Sequence, residues 1–345
     1  MGAATAWRLT KRGADVVCFD RHSPPHALGS SHGESRMIRT AYFEGEWYVP
    51  LLQETFPLWR ELEAATGASL LTETGALMLG TPSSELVRGV LESARQHGLP
   101  VEQLSSDEVR SRYPAHVIDD GVVGMLDRQG GFLRPEAALS AMLAQVPEVR
   151  RDTAITSIAD VRSGFDAVVV AAGSWTSELV DWIPLRVEPQ TMTWFALEPN
   201  AEYLQPDRFP AFIRDDFVYG FPTLDGTSIK VARHHGGDPD NPDPVRRFVS
   251  ECLRGVSTEI VRTVPCLYTN TPDGHFVIDF APDDQRVVVI SACSGHGFKF
   301  APVVGDIAAD LVLDKRTRRD ISHFRAARFA TSHVPDDHHQ HDQGR

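Results

Sequence analysis

Residues 1–20 read MGAATAWRLTKRGADVVCFD. Ala6, Trp7 and Leu9 give residues 3–12 the apolar spacing of a helix, and Gly13 supplies a stop. Residues 15–19, DVVCF, read as a short buried strand that ends on Asp20. A small-residue turn into a helix, followed by a strand closed by an acid, is the second half of a dinucleotide-binding βαβ unit. In that unit Gly2 is the last fingerprint glycine, where helix and strand pack closely. Asp20, 18 residues on, offers its carboxylate to both ribose hydroxyls. Taken alone, the stretch fits an ordinary helix–strand pair equally well. The unit's first strand and first two glycines do not precede Gly2, so the expectation is a natural reading frame that starts upstream.

A second nucleotide feature lies at 165–175, FDAVVVAAGSW. A buried strand running out into Ala171, Ala172 and Gly173 lets a ligand come close to the backbone. Between and beyond these stretches the pattern alternates. TFPLWRELEAATG is an amphipathic helix with Gly67 as its stop, and SSELVRGVLESARQHGLP is a helix with a serine cap and Gly98 at its end. From about 185 to 265 strands predominate. After 275, HFVIDFA and RVVVISACSGHG are strands again, followed by a long helix, FAPVVGDIAADLVLD. The order α/β, strand-rich, α/β predicts two interleaved domains. Residues 1–72, 131–182 and 263–330 form the discontinuous nucleotide-binding one. Residues 73–130 and 183–262 form a strand-rich α+β substrate domain, and 331–345 a flexible tail.

Bulk properties agree with this and exclude other classes. A chain of 345 residues suits about two domains at roughly 150 residues each. A net charge of −13 argues against a nucleic-acid or anionic-membrane binder. No apolar run approaches the ~20 residues of a membrane span, and no signal peptide precedes the first helix. The four cysteines Cys18, Cys252, Cys266 and Cys293 make no C-x-x-C pair, so no zinc site is expected and the thiols suit a reduced cytoplasm. The histidines of the tail, HVPDDHHQHDQGR, read as a polar terminus rather than a metal site.

Four stretches carry more specific chemistry: GSSHGESRMIRTAY at 29–42, YGFP with SIKVARHHGG at 219–237, VPCLYTNTPDGHFVID at 264–279, and SGHGFKF at 294–300. Arg36 and Arg39 are three apart, and on a helix starting here they share a face and make an anion site. Alternation in SIKVARHH puts Lys230 and His234 on one strand face. SGHGFKF is a glycine loop feeding a helix N-terminus, with free amide donors. Together the four stretches resemble the sarcosine oxidase and N-methyltryptophan oxidase group of the D-amino-acid-oxidase-like FAD-dependent oxidoreductases, from Met1 to about Phe329.

The resemblance implies FAD, attached covalently through Cys266, and oxidation of a secondary amine to an imine with O2 reduced to H2O2. The amine is a small N-methyl or cyclic amino acid. Arg39 and Lys299 would bind its carboxylate, with Tyr219 in the pocket wall. Lys230 would activate dioxygen, His234 and Tyr268 would line the active site, and His32 and Arg36 would lie near the flavin ring. Gly2, Asp20, Ala172, Gly173, Gly295, His296 and Gly297 join Cys266 and Lys299 around the cofactor. This chain has Ser31-His32 where the group usually has two consecutive histidines. A monomer is expected. The alternative is a flavin-binding remnant without turnover; a nicotinamide dehydrogenase would share Asp20 but has no use for Cys266 or SGHGFKF.

Overall fold

A computed structural model describes residues 1–236 and 241–329 of the chain. The tail expected at 331–345 and Gly237 of the RHHGG stretch lie outside the described residues. Helix Gly2–Lys11 forms as its spacing predicts, and Gly13 beyond it takes φ +83°. Helix Val49–Thr66 ends on Gly67 at φ +71°, a left-handed position that glycine adopts without strain. Ser84 caps helix Glu85–His97 by accepting from the Val87 amide, and Gly98 ends it.

The strand-rich part is one mixed sheet of eight strands. Its order is Val256–Asn270, Arg186–Leu197, Ser228–Arg233, Val218–Gly220, Ala211–Arg214, Ala76–Gly80, Val123–Asp127 and Val101–Leu104. Residues 185–265 also hold helix Asp243–Cys252, which the sequence reading did not separate from the strands. Its Val245, Phe248, Val249 and Cys252 pack on the sheet's core at helical spacing. Arg36 and Arg39 do not start a helix. Strand Arg36–Ile38 pairs antiparallel with Gly131–Leu133, so the expected shared helix face does not exist. The ladder, available only in the folded chain, outweighs the local spacing.

Two further small sheets lie apart from the eight-stranded sheet. Val17–Phe19 pairs in parallel with Glu148–Arg150. Val168–Val170 pairs in parallel with Asp284–Ser291, which also carries Val277–Ala281. Among the described residues neither Val17–Phe19 nor Val168–Val170 has a strand partner on its other side, and both line the same large cavity.

Helix Ala301–Asp314 crosses helix Gly2–Lys11 at very short range, and an ion cluster surrounds the crossing. Asp306 takes Arg8 Nε at 2.8 Å and Arg319 Nη2 at 2.9 Å, and Arg8 also reaches Glu61 at 2.7 Å. At Gly305 an added Cβ would lie 2.7 Å from the backbone carbon and oxygen of Ala4. Backbone cannot move aside as a flexible side chain can. Gly305→Ala gains about 1 kcal/mol of helix propensity but costs about 1–3 kcal/mol of overpacking. The expected result is net destabilisation, read as a lower midpoint in thermal unfolding. An unchanged or raised midpoint would show that the crossing relaxes.

Candidate active site

A cavity of about 1830 Å3 joins most of the predicted residues. At one end it is walled by Gly2, Asp20 and residues 171–173. At the other it is walled by Arg36, Arg39, Tyr219, His234, Cys266, Tyr268, residues 295–297 and Lys299. A Cβ on Gly2 would meet Ala171 at 3.6 Å, an ordinary contact, so helix–strand packing here does not require glycine. Gly173 sits at φ +56°. Asp20 accepts from the His22 amide at 2.9 Å, and His26 Nε2 is 3.5 Å away. At the far end the glycines are demanded by space. A Cβ on Gly295 would strike Tyr268 and His234 at 2.5 and 2.7 Å, and one on Gly297 would collide with the Ala292 carbonyl.

Residues 29–44 are held from several directions. Gly33 and Glu34 both take left-handed backbone, at φ +89° and +67°. Lys230 Nζ donates to the Gly33 and Ser35 carbonyls at 2.7 and 2.6 Å, while Glu136 accepts from the Gly33 amide at 2.6 Å. Trp194 Nε1 and Arg262 both donate to Glu34. This turn aims Arg36 into the cavity. Its guanidinium donates to the Ser30 and Ser35 carbonyls at 2.8 Å, and lies 3.6 Å from Cys266 Sγ and 3.5 Å from Met192 Sδ. Cys266, 4% exposed, thus faces the cavity beside a fixed cation.

Two predicted residues stand behind the wall rather than in it. His32 is turned back on its own loop, with Nε2 3.0 Å from the Gly29 carbonyl, and burial with Arg36 nearby lowers its pKa. Ser31 lines the cavity in its place. Lys230 lies behind the Phe221 ring, 4.4 Å from its centre, and borders a separate void of about 10 Å3. Burial, then Arg36, pushes its pKa well below the usual lysine value.

Arg39 and Lys299 come together through residues that the sequence reading did not single out. Arg39 Nη2 donates to both oxygens of Glu44, at 2.8 and 2.9 Å, and Nη1 to the Ala41 carbonyl at 3.0 Å. Its guanidinium lies 4.5 Å from the Tyr42 ring centre and 4.6 Å from that of Phe43. Burial alone would raise the Glu44 carboxyl, but Arg39, with His296 and Lys299, holds it at about 2. The Arg39 Nε–H is buried with no acceptor among the described residues. Lys299 Nζ donates to the His296 carbonyl at 2.8 Å and to the Tyr42 hydroxyl at 3.2 Å. Burial draws its pKa down to about 7, against the pull of Glu44.

Three aromatic residues complete this end. His234 Nδ1 is 3.2 Å from the Tyr268 hydroxyl, and Tyr219 lines the same end of the cavity. Burial raises both tyrosine pKa values, so the phenols stay neutral, and it lowers that of His234. The site therefore offers two cations at one point, neutral polar walls and a buried thiol. Such a place receives an anionic group and shields what is attached to it from water. Tyr42 was visible at the end of the TAY motif; Glu44 and Trp194 carried no local signal.

The chain is similar to known proteins over nearly its whole length. The family model for FAD dependent oxidoreductases matches residues 1–311. The N-methyl-L-tryptophan oxidase of Yersinia pestis (strain Pestoides F) is 34% identical over 362 residues, covering 95% of this chain and 96% of that one. The crystal structure of L-proline dehydrogenase from P. horikoshii superposes with a TM-score of 0.79 at 19% identity, covering 95% of this chain and 94% of the other. NikD, an unusual amino acid oxidase essential for nikkomycin biosynthesis, gives 0.78 at 23% identity, over 94% of each chain.

The Lys299 value carries a pH dependence with a definite sign. Only the ammonium form attracts a carboxylate, so affinity is full below about 7 and declines as pH rises through it. Titrated with benzoate, which has no amine of its own, the protein should show a flat dissociation constant below that point and a rising one above. Lys299→Met should weaken benzoate and remove the limb. A limb that survives in the variant assigns the titration to another group.

Proposed function

Since the chain belongs to the family of FAD dependent oxidoreductases, we propose that it oxidises a secondary amine bearing a carboxylate, an N-methyl or cyclic amino acid, to the imine, with O2 reduced to H2O2. One observation carries the choice of substrate. A buried arginine whose Nε–H has no acceptor among the described residues and a buried lysine with one unused donor both touch Tyr42, and both face the cavity. An unmet buried donor costs about 1–3 kcal/mol, which a substrate carboxylate would recover.

The residues present fit FAD. The cavity is long, begins at the uncapped start of helix Gly2–Lys11, passes Asp20 and Gly173, and ends at Cys266. Gly2, Asp20, Ala172 and Gly173 would hold the nucleotide end, and Gly295, His296 and Gly297 the far end. FAD held there would supply the acceptor for the hydride equivalent from the carbon next to the amine nitrogen and the electrons for reduction of O2. Covalent attachment through Cys266 is supported by the thiol's place in the cavity wall. Arg39 and Lys299 fix the substrate's carboxylate and hence which carbon faces the cofactor. Tyr219, Tyr268 and His234 exclude water and leave the bound amine in an uncharged surrounding, where its neutral form is favoured. The imine takes up water, and an N-methyl substrate then yields formaldehyde and the free amino acid.

The same reading assigns 73–130 and 183–262 to the substrate domain and the remainder up to 330 to the cofactor domain. It places a monomer in the cytoplasm. Four free cysteines support a reducing setting, and no helix among the described residues is long and apolar enough to cross a membrane.

Purified protein should be yellow and should keep its colour in the pellet after acid precipitation, whereas Cys266→Ser should release the colour to the supernatant. It should produce H2O2 with N-methyl-L-tryptophan, sarcosine or proline. Colourless protein, or yellow protein silent on every carboxylated secondary amine, overturns the proposal and favours a remnant without turnover. Lys230→Met separates the two half-reactions. Reoxidation by O2 should slow by about 100-fold or more, as for loss of one preorganised electrostatic group, while anaerobic bleaching by substrate stays within a few-fold. Equal loss in both would reduce Lys230 to its tether on Gly33 and Ser35.

A further inference from the structure

The two cations of the proposed carboxylate site share one neighbour: Tyr42, fully buried, touches both. Its ring lies 4.5 Å from the Arg39 guanidinium carbon, and its hydroxyl oxygen is 3.2 Å from Lys299 Nζ. The same hydroxyl is 2.7 Å from His296 Nδ1, and His296 Nε2 is 3.1 Å from the Gly274 carbonyl. A carbonyl only accepts, so Nε2 carries the imidazole proton. His296 is neutral, since burial lowers its pKa to about 3, so Nδ1 holds a lone pair. Tyr42 must then donate to His296, and its oxygen lone pairs are left for Lys299. The direction of every hydrogen bond from Gly274 to Lys299 is therefore determined.

We propose that Tyr42, oriented by His296, is the positioning residue of the carboxylate site, accepting from the Lys299 ammonium while its ring face carries Arg39. This rests on the carboxylate-binding role given above to Arg39 and Lys299. Tyr42 itself touches no substrate. It spends two ammonium protons' worth of geometry, together with the His296 carbonyl, so that the third N–H of Lys299 points into the cavity. Groups packed around the ammonium that bear on its titration are Glu44 and Arg39, with His296 neutral beside it. Glu44 keeps the ammonium charged and Arg39 opposes it. The Tyr42 oxygen adds a neutral acceptor that favours the charged form.

The test uses the flavin-loaded full chain, with benzoate and its uncharged counterpart benzamide as probes, and calorimetric heat together with flavin absorbance as readouts. Tyr42→Phe should weaken benzoate about 10-fold, the scale of one hydrogen bond to a charged group. It should also move the affinity-losing limb to lower pH by at least one unit, and leave benzamide within twofold. His296→Leu should reproduce both changes, because an undirected tyrosine can turn its proton toward Lys299. His296→Gln, which offers one acceptor and one donor, should restore most of the affinity. His296→Leu also stands in for Tyr42→Phe should that variant not fold.

A Tyr42→Phe protein with the parent's affinity and limb overturns the proposal, as does an equal loss for benzamide, which marks a merely structural role. Failure of the underlying site reads differently: the parent protein would then bind benzoate no better than Lys299→Met does.

Discussion

Lys230 is 3% exposed, and among the described residues its hydrogen-bond acceptors are two backbone carbonyls. Those carbonyls, on Gly33 and Ser35, flank a residue with φ +67°, a conformation that costs a side-chain-bearing residue about 1–2 kcal/mol. The ammonium and the turn therefore stabilise each other. Without the turn the cation would lie buried and unpaired. Without the cation, two buried carbonyls would lose their donors. Arg36 and Arg39 follow directly on this turn, and the strand that carries Lys230 belongs to the eight-stranded sheet. One side chain thus ties the substrate-side sheet to the loop that supplies the cavity's cations.

The rest of the site follows the same economy of buried charge. Isolated ions are expensive in a protein interior and become tolerable when paired and hydrogen-bonded. Arg39 is matched by Glu44, Arg36 by two carbonyls and two sulfurs, and Lys299 by a carbonyl and a phenol. None of these cations is fully neutralised. Among the described residues Arg39 keeps an unpaired Nε–H, and Lys299 keeps a donor. The residual positive field is directed into one cavity, whose wall beside these cations includes Tyr219, Phe221, Tyr268 and Gly295. On the reading proposed above, a carboxylated amine would meet there a site charged before it arrives, which is what preorganisation requires.

Local order was readable wherever short-range chemistry decides. Gly67 and Gly98 end their helices because left-handed backbone suits glycine, and Ser84 caps because its oxygen reaches an amide three residues on. Helix Asp243–Cys252 was missed although Val245, Phe248, Val249 and Cys252 have helical spacing, because its neighbours on both sides are strands. The Arg36–Arg39 spacing misled for the opposite reason: a long-range ladder to Gly131–Leu133 overrode the local pattern. In the site, Arg39, Lys299 and Cys266 were legible through their motifs. Tyr42 as the shared neighbour of Arg39 and Lys299, Glu44 as the partner of Arg39 and Trp194 as the anchor of Glu34 were not, since each acts through a contact without a sequence period.

By itself the sequence determined the family, the cofactor, the α/β and strand-rich halves, and a group of residues that the fold brings to one cavity. These depend on motifs and on apolar periodicity, which survive in one dimension. Tertiary structure alone decided which way those residues act. His32 turns to Gly29 instead of the cavity, and Lys230 reaches the backbone near 34 across almost 200 residues of chain. Arg39 and Lys299, far apart in sequence, are brought against one tyrosine. The physical reason is that buried polar groups must find partners wherever the packed chain puts them, and that search has no sequence-local solution.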